Sequence, residues 1–345
     1  MPHDIPAPML AKAVPAIPDP AKHPGGLVFE PKWDGFRVLA SWDGETVELG
    51  SRGAKPLTPY FPELVEALAR ILPEPCLIDG EIVIAAGEPG SQRLSWDTLS
   101  QRIHPAASRI AKLSAETPAM LIAFDLLAVG DESLVDRPFR ERRARLERLL
   151  QDAPHPLHLT RTTEDHELAA QWLEEFEGAG LDGVVAKPAD QPYAPGKRTM
   201  LKIKHARTAD VVALGYRVHK SGQGVGSILV GLYDDAGELH QVGGVSAFSD
   251  RRRLELIDEL APLVTGTGQG ERSRFSSGKD VSYVTLRPER VLEVRYDQLE
   301  GDPAFRVRFR HTVQFERWRP DREATSCRFD QLDVPAKYDL GDVLD

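Results

Sequence analysis

The periodicity of this chain changes once, near Ala206, and that change constrains the fold more than any single motif. Before it, segments with a two-residue apolar period alternate with segments of helical period. LVFEPKWDGFRVLASWDG and ETVELGSR read as paired strands with Asp43-Gly44 as their turn. PELVEALARIL places Leu64, Ala67, Leu68 and Ile71 on one helical face, and CLIDGEIVIA and AMLIAFDLLAV read as strands. FRERRARLERLLQ is an amphipathic helix with Leu146, Leu149 and Leu150 inward, and EDHELAAQWLEEFEGAG is a helix stopped by Gly178 and Gly180. DGVVAKP and TMLKIKHA close this region as short strands. After Thr208 strand follows strand: ADVVALGYRV, SILVGLYD, ELHQVGGV, RVLEVRYDQL and FRVRFRHTVQF. One helix interrupts them, RRLELIDELAPL, with Ser249 or Asp250 as its N-cap. Five strands and one helix within residues 207–322 are the content of a small Greek-key barrel of the OB type. The expected class is therefore α+β: a domain of antiparallel sheets and helices over 1–206, led by a proline-rich extended arm through residue 26, then the barrel over 207–322 and an acidic C-terminal tail over 323–345. A length of 345 residues agrees with two cores, since single cores stop growing at about 250–300 residues.

Composition excludes several classes. A charged fraction of 28% beside 41% hydrophobic residues is globular rather than disordered or fibrous. Cys76 and Cys327 lack metal-ligand spacing and cannot staple so long a chain, so a reduced cytoplasmic setting is expected, with each thiol buried alone. No apolar run approaches the roughly 18 residues that span a membrane, and prolines fill the opening segment where a signal peptide needs its apolar stretch. The formal charge of −10, from 43 Lys+Arg against 53 Asp+Glu, argues at first sight against nucleic acid. Its distribution argues the other way. Between Gly196 and Lys220 stand Lys197, Arg198, Lys202, Lys204, Arg207, Arg217 and Lys220 against Asp210 alone. Between Phe305 and Arg322 stand Arg306, Arg308, Arg310, Arg317, Arg319 and Arg322 against Glu316 and Asp321.

The most informative segment is Glu30-Pro31-Lys32-Trp33-Asp34-Gly35-Phe36-Arg37. A lysine between a strand and an Asp-Gly turn is either a surface hairpin residue or a group pinned beside a glycine that admits a ligand's close approach. Asp79 and Glu81, two apart in a strand, face the same side, and burying them among Leu77, Ile78, Ile82 and Val83 requires hydroxyls, a cation or a lysine as partner. Phe124 and Asp125 interrupt an aliphatic strand, as core residues or as a stacking platform. Asp182 and Lys187 follow, then Lys202 and Lys204 on one strand face. Two lysines facing a cleft repel unless an anion lies between them, and a triphosphate fits that need. Gly222-Gln223-Gly224-Val225-Gly226 is not a phosphate loop, because it joins strand to strand with no helix N-terminus. His104, His155 and His158 lack metal-ligand spacing and are given no role.

In type, order and approximate spacing, KWDGFR, Ser51–Gly53, LIDGEIV, AFDLLAV, DGVVAKP and LKIKH resemble the motifs of the covalent nucleotidyltransferases, the superfamily of ATP-dependent DNA ligases, RNA ligases and capping enzymes. Within it the chain is similar to compact two-domain bacterial ATP-dependent DNA ligases of the LigC type, Pro8-Met9-Leu10-Ala11 included. The resemblance implies a nucleotidyltransferase (adenylation) domain followed by an OB-fold barrel, with Lys32 as the nucleophile that takes AMP from ATP, and Lys202 and Lys204 as α-phosphate contacts. It implies Glu30 on the adenine side, Phe124 as the stacking residue, Glu81 at the ribose, and Arg37 and Arg52 at the nucleotide and the 5′-phosphate of a nick. Asp182, where many relatives carry Glu, takes the metal position with Glu81, for Mg2+ or Mn2+. Arg319 and Asp321 match the last family motif, R-x-D-K, whose final lysine is Arg322 here. Lys197, Arg198, Arg217 and Lys220 join Arg37 and Arg52 as DNA contacts. The expected activity is sealing of 5′-phosphate/3′-hydroxyl nicks in duplex DNA, in repair, by a cytoplasmic, nucleoid-associated monomer. It is expected to depend on a repair polymerase or primase, or an end-binding protein, for retention on DNA. The alternatives are an RNA ligase, a capping-type guanylyltransferase, or an inactive nucleic-acid-binding relative.

Overall fold

The structure is a computed structural model and describes residues 5–53, 55–269, 282–302 and 306–344. Two compact units emerge, one from Met1–Lys204 together with Pro335–Asp345, the other from His205–Val334.

The first unit is built on two sheets. The larger has the strand order Leu157–Leu159, Met120–Val129, Cys76–Val83, Phe36–Trp42, Val47–Ser51. The smaller runs Leu10–Ala13, Arg198–Ile203, Val184–Pro188, Leu27–Pro31. The Asp43-Gly44 turn forms as expected: the Asp43 carboxylate accepts from the amides of Glu45 and Thr46, and Gly44 has φ 100°. The opening arm contributes a true strand, since Leu10–Ala13 pairs in parallel with Arg198–Ile203. Alternation along Cys76–Val83 assigns its faces. Ile78 and Ile82 enter a core with Leu64 and Leu68 of the helix Pro62–Ile71 and Leu146 of the helix Phe139–Leu149. Leu77 joins Met9, Leu39, Leu127, Tyr193 and Met200 in a second cluster, which draws on both sheets. Leu146, Leu149 and Leu150 face the core as expected, and Arg142 of the same helix is also fully buried, paired with both oxygens of Asp125 at 2.8 Å.

In the second unit the long strand Arg207–Val218 pairs with Val225–Tyr233 on one side. On the other it pairs first with Val291–Tyr296 and then with Ser282–Leu286, which curls the sheet into a half-barrel of OB type. Ser249 caps the helix Asp250–Leu260, which buries Leu256 and Leu260 in the barrel core. The expected last strand divides into Arg306–Phe309 and Gln314–Trp318, while Phe305 and the Arg306 side chain lie outside the described residues. Val264–Gln269 and Ser282–Leu286 are additional strands; the former, VTGTGQ, is an exposed run without apolar alternation and gives no sequence signal.

The expected acidic tail is not one element. Cys327 and Leu332 lie in the barrel core, whereas Leu340 and Val343 are buried in the first unit beside Trp172 and Phe176. Glu323, Asp330, Asp333 and Asp342 face outward, but these apolar residues decide where the chain packs. Both cysteines are free and buried. No helix among the described residues is long and apolar enough to cross a membrane.

Candidate active site

Lys32 follows the strand Leu27–Pro31 and is stitched by its backbone to the turn ahead of Val184–Pro188. Its amide donates to the Gly183 carbonyl at 2.8 Å, and its carbonyl accepts from the Asp182 amide at 2.8 Å. The ammonium donates to Asp182 Oδ2, and Lys204 Nζ lies 2.9 Å from Asp182 Oδ1, so one carboxylate bridges two lysines. Lys202, on the face shared with Lys204, is held below the ordinary lysine range by lost hydration and then by the charges of Lys32 and Lys204. Gly35 serves a different purpose from that expected: a Cβ there would lie 2.1 Å from the Ile82 carbonyl, so the close approach is made by the protein's own neighbouring strand rather than a ligand.

Beside Lys32 opens a cavity of about 260 Å³. Pro8–Ala11 of the arm, Trp33, Val185 and Met200 form part of its wall, with Arg52 and Arg198 exposed at its edge. Glu30 is buried there with Oε2 2.8 Å from Lys187 Nζ, while its Oε1 is buried with no partner among the described residues. Burial pushes its carboxyl up, against the opposing charges of Lys187 and Arg143. Lys187 also donates to the Phe124 carbonyl at 3.0 Å and lies 4.6 Å from the Phe124 ring centroid. Arg37 stands 4.4 Å from the same centroid. An aromatic ring, one open acceptor oxygen and the six cations Lys32, Arg37, Arg52, Lys187, Arg198 and Lys202 therefore line a single recess.

Arg37 is not a free cation. It binds both oxygens of fully buried Asp79, which also accepts from Tyr193 Oη at 2.7 Å, and Tyr193 Oη accepts from the Met9 amide at 2.9 Å. Asp79 thus ties Arg37 and the arm together, a role hidden in the sequence because its partners lie 42 and 114 residues away. Glu81 lines the cavity, accepts from the Gly35 amide at 3.2 Å, and is pushed up to about 7 chiefly by lost hydration. Asp182, the other carboxylate expected at a hard divalent cation, is engaged by Lys32 and Lys204 and is not among the residues lining the cavity. Trp33, passed over in the sequence, donates from Nε1 to Thr160 Oγ1 at 2.8 Å, and Thr160 in turn accepts from Arg143 at 2.7 Å. Lys197 is exposed near the cavity edge.

In the second unit, the last-motif residues fold back on the barrel. Arg319 Nη1 lies 3.0 Å from both oxygens of Asp210, its other donors engage Asp321, and Arg322 Nη1 is 3.2 Å from Asp210 Oδ2. The Arg319 hydrogen bonds hold Asp321 down to about 2. Asp210, which looked like a stray acid in a basic run, is therefore the hub of this cluster. Arg217 is half-buried on its strand, and Lys220 is exposed in the turn to Val225–Tyr233, where Gly222 and Gly224 have φ 78° and 75°. That glycine-rich segment is a hairpin between antiparallel strands, as expected.

Residues 8–204 match the family model of the ATP dependent DNA ligase domain, and residues 221–322 that of the ATP dependent DNA ligase C terminal region. DNA ligase C1 of Mycolicibacterium smegmatis is 55% identical over 340 residues, covering 98% of this chain and 97% of that protein. DNA ligase C of Mycobacterium tuberculosis is 51% identical over 360 residues, covering 98% and 96%. Among solved structures, one of the Lig E DNA ligases gives a TM-score of 0.57 at 18% identity over 91% of this chain and all of the other, a likeness of fold alone. With motifs, fold and relatives in agreement over nearly its whole length, the chain belongs to the ATP-dependent DNA ligases of the compact LigC type.

Proposed function

We propose that Lys32 is the residue on which this ligase carries AMP. The observation that supports it is the Lys32–Asp182–Lys204 bridge at the edge of a cavity holding one open acceptor, Glu30 Oε1, beside the Phe124 ring. Attack requires a neutral amine, whereas lysine is ordinarily protonated below a pKa of about 10.4. Asp182 stands where the departing proton must be received, and Lys204 on its other oxygen offsets the carboxylate charge. Lys32 Nζ then attacks the α-phosphorus, the bond to the β-phosphate oxygen breaks, and pyrophosphate leaves. Lys202 and Lys204 stabilise the charge that builds on the α-phosphate. A phosphate oxygen of the DNA 5′ end displaces Lys32 from AMP, and the 3′-hydroxyl displaces AMP from the DNA.

Glu30 Oε1 accepts from the adenine amine, Phe124 stacks on the base, and Glu81 meets the ribose. Arg319 and Asp321 engage the pyrophosphate end once released from Asp210. Mg2+ or Mn2+ would be held by Glu81 and Asp182 together with phosphate oxygens, where it would neutralise phosphoryl charge. Arg37, through its Asp79 brace, shapes the site, and Arg52, Lys197, Arg198, Arg217 and Lys220 contact DNA phosphates. The working form is a cytoplasmic, nucleoid-associated monomer acting in repair, with a polymerase or primase, or an end-binding protein, supplying retention on DNA. Lys32→Ala is expected to abolish the labelled enzyme–AMP adduct formed from α-labelled ATP, read by mass and by gel. Full labelling of that variant would refute the assignment.

A further inference from the structure

The segment 335–344 returns to the first unit and lies against the turn Phe176–Ala179, which leads into Asp182. At Gly178 the fit is backbone on backbone: a Cβ there would lie 1.9 Å from the Ala336 carbonyl oxygen and 2.7 Å from the Tyr338 nitrogen. Gly178 belongs to the 3-10 turn Phe176–Ala179, which closes at Gly180 only two residues before Asp182. The Tyr338 ring lies 5.3 Å from that of Phe176 in the same turn. The segment is fastened on the far side as well. The Leu340 amide donates to the Gln92 carbonyl at 2.8 Å, Asp339 Oδ2 accepts from the Gln92 amide at 2.7 Å, and Arg161 donates to the Asp342 carbonyl at 3.0 Å. Leu340 and Val343, each 1% exposed, complete the core that also contains Trp33, Trp172, Phe176 and Leu181.

Both ends of the lysyl site rest on this core. Trp33 adjoins Lys32 in sequence, and Leu181 adjoins Asp182, whose amide and carboxylate both hold Lys32. We propose that segment 335–344 is a brace for the adenylation step, and that Tyr338, Leu340 and Val343 are positioning residues for the attack of Lys32. None of them reaches the cavity; they act by fixing the turn that carries Asp182 and the tryptophan beside the nucleophile. The proposal rests on Lys32 as the nucleophile. A displacement of about 1 Å, remote from the chemistry, is enough to slow a reaction by up to about 10²-fold.

The test is single-turnover formation of enzyme–AMP in the full chain, separating the rate constant at saturating ATP from the amplitude, with circular dichroism on each variant. Tyr338→Ala removes a half-buried ring, and Gly178→Ala dislodges the segment from the opposite side without altering it. Each is expected to lower the rate constant by about tenfold or more at undiminished amplitude. Tyr338→Phe keeps the ring and should restore the wild-type rate. Leu340→Ala combines the same loss of rate with a lower melting temperature. Unchanged rate constants in Tyr338→Ala and Gly178→Ala, with only amplitude or melting temperature reduced, would overturn the brace and leave a purely structural segment. Lys32→Ala in the same assay keeps the two readings apart: its labelling would refute the nucleophile, whatever the brace variants show.

Discussion

Lys202 carries the electrostatic cost of gathering three lysines, Lys32, Lys202 and Lys204, in one place. Lost hydration and the charges of Lys32 and Lys204 hold its amine below the ordinary range. The folded state therefore disfavours its protonated form, which costs stability below the depressed pKa, and the penalty fades as pH rises through that value. Lys202→Met should accordingly raise the thermal midpoint of the unliganded protein at pH 7, by a margin that shrinks toward alkaline pH. With Lys202 in its proposed role at the α-phosphate, the same change should slow enzyme–AMP formation by about 10²-fold. Calorimetry across pH and single-turnover labelling measure both effects, and a lowered midpoint at pH 7 would contradict the electrostatic account. At this scale the sequence was legible where spacing is local. The period-2 placement of Lys202 beside Lys204, and of Asp79 beside Glu81, could be read directly. The partners could not: Asp182 lies 150 residues from Lys32, and nothing local distinguishes a bridge between lysines from an open metal ligand.

The helix Phe139–Leu149 makes the corresponding point for elements. Its apolar period marked Leu146 as interior, yet the same face buries Arg142, which binds both oxygens of Asp125 and donates to the Arg137 carbonyl at 2.7 Å. A charged residue on a helix ordinarily reads as solvent-facing, so this face was invisible until the Met120–Val129 strand supplied its counter-charge. Removing one partner of such a pair leaves the other buried and uncompensated. Arg142→Leu should cost about 3–5 kcal/mol in urea unfolding, and Asp125→Leu/Arg142→Leu should recover most of that loss. A cost below about 1 kcal/mol for the single variant would show that Asp125 finds hydration or another donor. The strand Val264–Gln269 failed to register for the complementary reason, because its glycines and threonines leave no apolar alternation to detect.

For the whole molecule, the periodicity changes near Ala206, and the division between the two compact units falls between Lys204 and His205. The return of residues 335–344 to the first unit was not foretold, because composition there is acidic while Leu340 and Val343 do the packing. The same contrast between total and placement governs DNA binding. A charge of −10 opposes non-specific attraction to a polyanion, so affinity must come from the few cations placed at phosphates. If Arg37, Arg52, Lys197, Arg198, Arg217 and Lys220 each neutralise one phosphate, counterion release gives log affinity against log salt a slope of about −5. Affinity for a nicked duplex should then fall by about 10³ between roughly 50 and 200 mM salt. Arg37 is the weakest member of that set, because its guanidinium is already committed to Asp79. Fluorescence anisotropy on the wild type should give the full slope, and Lys220→Ala should make it shallower by about 1. A wild-type slope shallower than about −2 would mean that most of these side chains stay in their own ion pairs or in solvent, and that the ligase holds its nick through uncharged contacts.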